Sequence, residues 1–220
     1  PKHIPDVFWR TLTKKLKTQV LIPQNRNMYQ IGETYGSPEL IGSYIGSGLL
    51  DAQFDFNLYD AAVSTFKNAN GNCKNLAEIA NDSKKNYGSH HTMGNITGNQ
   101  DRPRFISLAD GSLKDGENFK QVGWDRNIQV QDKEAYKRLQ NLEAFMLCVP
   151  GVPVIYYGDE IGMPGGNDPD NRRMMRFDQL NNEEVALRTS TQKLVKLRRK
   201  NLPLIYGETL SLIHISESTR

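Results

Sequence analysis

Long apolar runs are missing from this 220-residue chain. No stretch approaches the roughly 18 consecutive apolar residues of a membrane-crossing helix, so no membrane span is expected. Cysteine is scarce, with Cys73 and Cys148 alone, which excludes a disulfide framework. Cys148 sits in the apolar stretch AFMLCVP and reads as a small core residue. A strong charge of one sign is also lacking: 28 Lys and Arg face 25 Asp and Glu, a net charge of +3. The two basic clusters, residues 14–17 and 196–200, fall in helix-like stretches and read as solvated helix faces. Without a concentrated basic face bearing interleaved aromatics, no nucleic-acid partner is expected. No internal repeat, low-complexity linker or signal peptide is visible, and the chain opens on Pro1 rather than Met.

What is present alternates helix and strand, the order of a parallel sheet with crossover helices. Residues 6–18 carry Phe8, Leu12 and Leu16 at helical spacing behind Pro5. Strands are expected at residues 28–32, 53–57 and 95–98, and the dense run VPVIYY at residues 152–157 suits a fully buried parallel strand. Helices are expected at residues 59–67, 74–84, 133–149 and 183–200. The third of these has an apolar stripe of Tyr136, Leu139, Leu142, Phe145 and Met146.

Four strands, each followed by helix, amount to half of an eight-stranded α/β barrel. Barrel enzymes place their chemistry just beyond the C-terminal ends of the strands. Acids stand at those positions here: Glu33 after the first strand, Asp101 after the third, Asp159 and Glu160 after the fourth. Glycosidic cleavage needs a carboxylic acid to protonate the leaving oxygen and a second carboxylate at the sugar's anomeric centre. Strand-end acids agree with that chemistry, and position alone leads no further.

Four segments, in order, lead further. PKHIPDVFW, IGETYGSPELIGSYI, ITGNQDRPRF and VPGVPVIYYGDEIGMPGGNDPDNRRMM resemble the fourth-, fifth-, seventh- and eighth-strand segments of the α-amylase family of glycoside hydrolases. The resemblance implies the C-terminal half of a TIM (β/α)8 barrel, truncated at both ends. Residues 1–207 would hold the half-barrel and the start of a linker to a C-terminal β domain. Residues 208–220 look non-native, since SLIHISESTR resembles translated sequencing-adapter read-through.

Carried across, the resemblance makes Glu33 the general acid/base and Asp101 the transition-state stabiliser. Lys2 and His3 match a pair near the leaving-group side of the groove, and the His3 backbone carbonyl matches a ligand of a structural calcium held mostly by the missing half. Asp168 and Arg172 match a pair that contacts sugars on the non-reducing side of the cut. Tyr35, Trp124, Tyr156 and Tyr157 are aromatic candidates for sugar stacking, with core packing favoured for the last two. One departure stands beside Asp101: relatives commonly carry His where this chain has Gln100, whose amide still donates to a sugar hydroxyl but holds no charge. The nucleophilic Asp would precede Pro1 by two residues, so the chain as given is expected to be inactive.

The implied activity is a retaining α-glucan hydrolase acting within α-1,4-linked starch or malto-oligosaccharides, with an α-glucan as partner. Secreted or periplasmic placement is favoured for the full-length protein. A transglycosylase of the same family differs only in the acceptor that resolves the intermediate. A non-catalytic homologue usually lacks the acid or the stabiliser, and this chain keeps Glu33 and Asp101. A stand-alone carbohydrate-binding module leaves the strand-end acids unexplained.

Overall fold

The computed structural model describes residues 1–46, 48–88, 92–207 and 209; apart from Thr209, the 208–220 tail lies outside the described residues. Helix α1 (Asp6–Lys15) begins behind Pro5 and continues into a wider π-helical turn, Leu16–Leu21. Strand β1 (Ile31–Gly32) follows, then the short α2 (Pro38–Gly42), which Ser37 caps by accepting from the Leu40 amide. Strand β2 (Ala52–Gln53) leads into α3 (Phe56–Phe66) and α4 (Cys73–Tyr87). Strand β3 (Gly94–Ile96) is followed by α5 (Phe105–Ala109), α6 (Phe119–Asp125) and α7 (Glu134–Cys148). Strand β4 (Val152–Val154), two 3-10 turns, α8 (Asn182–Lys200) and α9 (Pro203–Tyr206) complete the order.

The strands pair in parallel, β1 with β2 and β3 with β4, and a parallel bridge from Phe54 to Gly94 joins the two pairs. All four therefore run the same way in sequential order, with helices crossing between them. That is the partial α/β barrel expected from the alternation.

The strands are shorter than expected, for identifiable reasons. Residues 55–57 belong to a helix start rather than to a strand, because the Asp55 carboxylate accepts from the Leu58 amide and caps α3. After Val154 the chain turns at Gly158, whose φ is +87° and whose missing Cβ leaves room for Met163 Sδ. β4 is not the fully buried strand that VPVIYY suggested. Among the described residues it pairs with β3 alone, and Val152 is exposed. Cys148 is only half-buried.

The main core gathers Phe56 and Tyr59 of α3, Ile96 of β3, Phe105 and Ile106 of α5, Leu139, Leu142 and Met146 of α7, and Leu187 of α8. Each such side chain contributes about 1.5–3 kcal/mol on leaving water. A smaller cluster of Ile41, Ala52, Tyr87 and Met93 lies under β2. α8 starts from a full capping box in which Asn181 and Glu184 satisfy each other's backbone amides. α1 differs from the rest: of its residues only Thr13 is buried, and Phe8 and Val7 are exposed. The apolar spacing there is real, and in this chain that face has little to pack on.

Candidate active site

Because the strands are parallel, residues following each one emerge on a single rim. Glu33 comes directly after β1, and Asn99, Gln100 and Asp101 follow β3. The loop after β4 brings Asp168 and Arg172 to the same rim.

Asn99 joins the two key acids. Its Nδ2 donates to Glu33 Oε1 at 3.3 Å, and its Oδ1 accepts from the Asp101 amide at 2.9 Å. The Asn99 side chain is nearly buried, so it fixes the turn from below while both carboxylates stay open to solvent. Packing around Glu33 raises its carboxyl above the ordinary glutamate range, and the like charge of Asp101 raises it further. The Pro1 ammonium acts in the opposite sense. A raised carboxyl holds its proton closer to neutral pH, as a general acid must.

Asp101 accepts from Gln100 Nε2 at 3.2 Å and from Arg172 at 3.2 Å. Arg172 also reaches Asp168 Oδ1 at 3.2 Å and donates through Nε to the Gln100 carbonyl at 3.1 Å. Gln100, Asp101, Asp168 and Arg172 thus form one connected cluster, tied to Glu33 through Asn99. Lys2 approaches from the other side, donating from Nζ to the Tyr35 carbonyl at 3.2 Å, two residues beyond Glu33. His3 is exposed in a turn closed by the Ile4 amide and the Pro1 carbonyl.

Calcium takes about 6–8 oxygen ligands. No group of three or more His, Cys, Asp or Glu side chains suited to a metal occurs among the described residues. A lone His3 carbonyl is not a calcium site, so the residues present do not fit the ion by themselves.

Under the cluster lies a buried scaffold that motif reading missed. Asn171, fully buried, donates through Nδ2 to the carbonyls of Gln100 at 2.8 Å and Arg102 at 2.7 Å, and so ties the β4 loop to the β3 loop. Buried Arg104 donates to the carbonyls of Asn171 and Tyr157 and to Asp159 Oδ1 at 2.9 Å. Asp159 takes its other bond from Thr97 Oγ1 at 2.6 Å. With both oxygens occupied and almost no exposure, Asp159 is a structural anchor rather than a reacting acid. The available signal was adjacency, since Asn99 and Asn171 each neighbour a residue already singled out.

The aromatic candidates divide. Arg102 lies over the Tyr35 ring at 4.7 Å, and Arg104 lies over the Tyr156 and Tyr157 rings at 4.2 and 4.9 Å, so each ring already has a cation against it. Tyr156 is half-buried and Tyr157 exposed, more open than core packing implied. Trp124 is 70% exposed. A separate apolar cavity of about 460 Å³ opens at the opposite end of the strands, lined by Tyr87, Met93 and Gly151 among others; none of the rim residues contributes to it.

A family profile for the α-amylase catalytic domain matches residues 4–201. A cyclomaltodextrinase of Geobacillus thermopakistaniensis (strain MAS1) is 28% identical over 96% of this chain and 31% of its own length. Among solved structures, an Anoxybacillus α-amylase superposes with a TM-score of 0.72 at 28% identity, over 92% of this chain and 39% of that one. The α-amylase of Geobacillus thermoleovorans, solved in complex with acarbose, superposes with a TM-score of 0.72 at 27% identity and the same coverage. The chain therefore spans well under half the length of these relatives, 31% to 39% of each.

Proposed function

The chain belongs to the α-amylase catalytic-domain family, and on that premise we propose that it supplies the acid/base and stabilising carboxylates of a retaining α-glucan hydrolase acting within α-1,4-linked starch or malto-oligosaccharides. The observation that carries this reading is the Glu33–Asn99–Asp101 arrangement on the rim. One carboxyl is pushed toward its protonated form while its neighbour is paired with Arg172.

In this mechanism Glu33 protonates the departing glycosidic oxygen, and its conjugate base then takes a proton from the incoming water. Asp101 accepts hydrogen bonds from sugar hydroxyls that strengthen as the ring flattens, so its binding energy is spent on the transition state. Gln100 donates its amide to the same sugar. Asp168 and Arg172 grip the neighbouring ring on the non-reducing side, while Lys2 faces the leaving-group side. A retaining route also needs a carboxylate about 5–5.5 Å from the acid. By the family pattern, that nucleophile stands two residues ahead of Pro1, so the 220 residues alone are expected to leave starch intact. Calcium enters only as a structural ion to which His3 lends a carbonyl, with its other ligands outside this sequence; no step runs through it.

The test is an assay of the full-length protein on soluble starch, maltoheptaose and a cyclic maltodextrin, with the product anomer followed by proton NMR. Hydrolysis with retained α configuration, abolished by Glu33→Gln, is the expected result. Inverted product, or wild-type turnover in Glu33→Gln, refutes the assignment. Glucan cleavage by residues 1–220 alone would place the nucleophile elsewhere.

A further inference from the structure

Helix α6 stands beside the sugar-binding cluster, and none of the assigned roles uses it. It begins where the Asn118 side chain accepts from the Lys120 and Gln121 amides. It is fastened to the loop carrying Asp168 by a hydrogen bond from the Asn167 amide to the Phe119 carbonyl at 3.0 Å. Gly123 packs against that loop so closely that an added Cβ would lie 2.6 Å from the Asp170 Cβ. Asp170 is itself held by Arg173 and by the Gly166 amide. The helix is therefore fixed in place against the loop.

On its open side, Lys120 Nζ comes within 3.8 Å of Asp168 Oδ2. Trp124 follows Lys120 by four residues, one helical turn along the same face. A continuous polar line thus runs from Asp101 to Arg172, on to Asp168 and then Lys120. It ends beside an indole that remains 70% exposed. An exposed tryptophan next to residues that hold sugar hydroxyls offers what a pyranose ring needs: a flat apolar face for its C–H face and a cation nearby for its hydroxyls.

We propose that α6 forms the outer end of the glucan groove, with Trp124 as the stacking platform for a sugar beyond the one held by Asp168 and Arg172, and Lys120 as a hydroxyl donor to it. This rests on the α-glucan reading of the rim. It makes Trp124 a determinant of preferred chain length rather than a catalytic residue.

The experiment compares full-length wild type, Trp124→Ala and Trp124→Phe on maltotriose and maltoheptaose. It adds calorimetric binding of both sugars to Glu33→Gln with and without Trp124→Ala. Losing one aromatic stacking contact corresponds to roughly a 2- to 12-fold effect. The expected result is therefore a kcat/KM for maltoheptaose lowered by about that factor relative to maltotriose, mostly through KM, with partial recovery in Trp124→Phe. Maltoheptaose affinity in the Glu33→Gln background should weaken by the same factor. If wild type cleaves both sugars and Trp124→Ala leaves their ratio and the binding unchanged, the platform is refuted while the function stands. If wild type neither cleaves nor binds either sugar, both readings fall together. An equal loss on both sugars would place Trp124 in the fold or the cleavage point and also overturn the proposal.

Discussion

Glu143 is a fully buried acid in the middle of α7, and replacing it should make the protein more stable as pH rises. Burial pushes its carboxyl up to about 8, with the negative charges of Asp159 and Glu160 adding to the effect and Thr191 opposing it. The hydrogen bonds agree with a neutral group. The Thr191 hydroxyl lies within reach of both Glu143 Oε2 and the Leu187 carbonyl, and its single proton serves only one of them. With that proton on Leu187, a protonated Glu143 donates from Oε2 to Thr191, and its buried Oε1, which has no donor, is better tolerated as part of a neutral acid than of an anion. In the unfolded chain the carboxyl returns to the ordinary glutamate value of 4.5. Between pH 4.5 and about 8 the folded state thus holds a proton that the unfolded state has lost, so stability falls as pH rises through that window. At about 1.4 kcal/mol per unit, the loss approaches 5 kcal/mol by pH 8 and is about 3 kcal/mol at pH 7. Glu143→Gln keeps the shape, never ionises and removes this slope. Urea unfolding of both proteins at pH 5, 6, 7 and 8 should give nearly equal stabilities at pH 5. The variant should gain about 3–5 kcal/mol by pH 8. A difference between the two that stays flat over that range would refute a neutral Glu143.

Asp101→Asn removes the like charge beside Glu33, so the Glu33 carboxyl should titrate lower, as a carbon-detected NMR titration would report; turnover should fall mainly in kcat, by about 100-fold or more. A change confined to KM would make Asp101 a ground-state contact. Arg104→Met leaves Asp159 buried without its cation and should cost about 3–5 kcal/mol in chemical denaturation, more at pH 8 than at pH 5, because the unpaired carboxyl's folded-state pKa rises further. Adding Asp159→Asn should recover part of that, and no recovery would mean the loss is packing alone. Arg198, buried in α8, donates to the carbonyls of Leu147, Val149, Gly151 and Leu204 and so closes the end of α7. Arg198→Lys should lose about 2–3 kcal/mol, since an ammonium cannot fork across four acceptors, and an unchanged melting curve would contradict this.

Much of the scaffold could be read from side-chain spacing because it repeats over long elements. The stripe at Tyr136, Leu139, Leu142 and Met146 located α7 within one residue at each end, and the helix expected at residues 183–200 starts one residue late against α8 and ends with it. Short elements carried no such repeat. α6 spans seven residues with a glycine inside, and the Asn118 cap together with its bond to the Asp168 loop accounts for it. Glu143 fell on the apolar stripe, four residues past Leu139, where its charge argued against its position. Thr191, distant in sequence, makes that burial tolerable. α1 shows the opposite case, an amphipathic pattern that is correct as a helix yet leaves Phe8 exposed because its apolar face finds little cover in this chain.

The acids at the rim show why spacing finds candidates without ranking them. Asp101 and Asp159 each stand five residues beyond the end of a strand, Ile96 and Val154 respectively. Their fates differ because of what lies between. After β4, Gly158 at φ +87° folds the chain back and drops Asp159 between Thr97 and Arg104, where both oxygens are consumed. After β3, the Asn99 side chain accepts from the Asp101 amide and supports the turn from beneath, so the Asp101 carboxylate projects outward beside Arg172. The two carboxylates therefore divide by exposure rather than by hydrogen-bond supply: each oxygen of both takes a bond from the protein, but Asp159 is sealed in the fold, whereas Asp101 is 61% exposed and its remaining lone pairs face the groove. Glu33 is exposed in the same way, and among the described residues it takes a single long contact from Asn99 on one oxygen, leaving the other for a proton and a departing sugar.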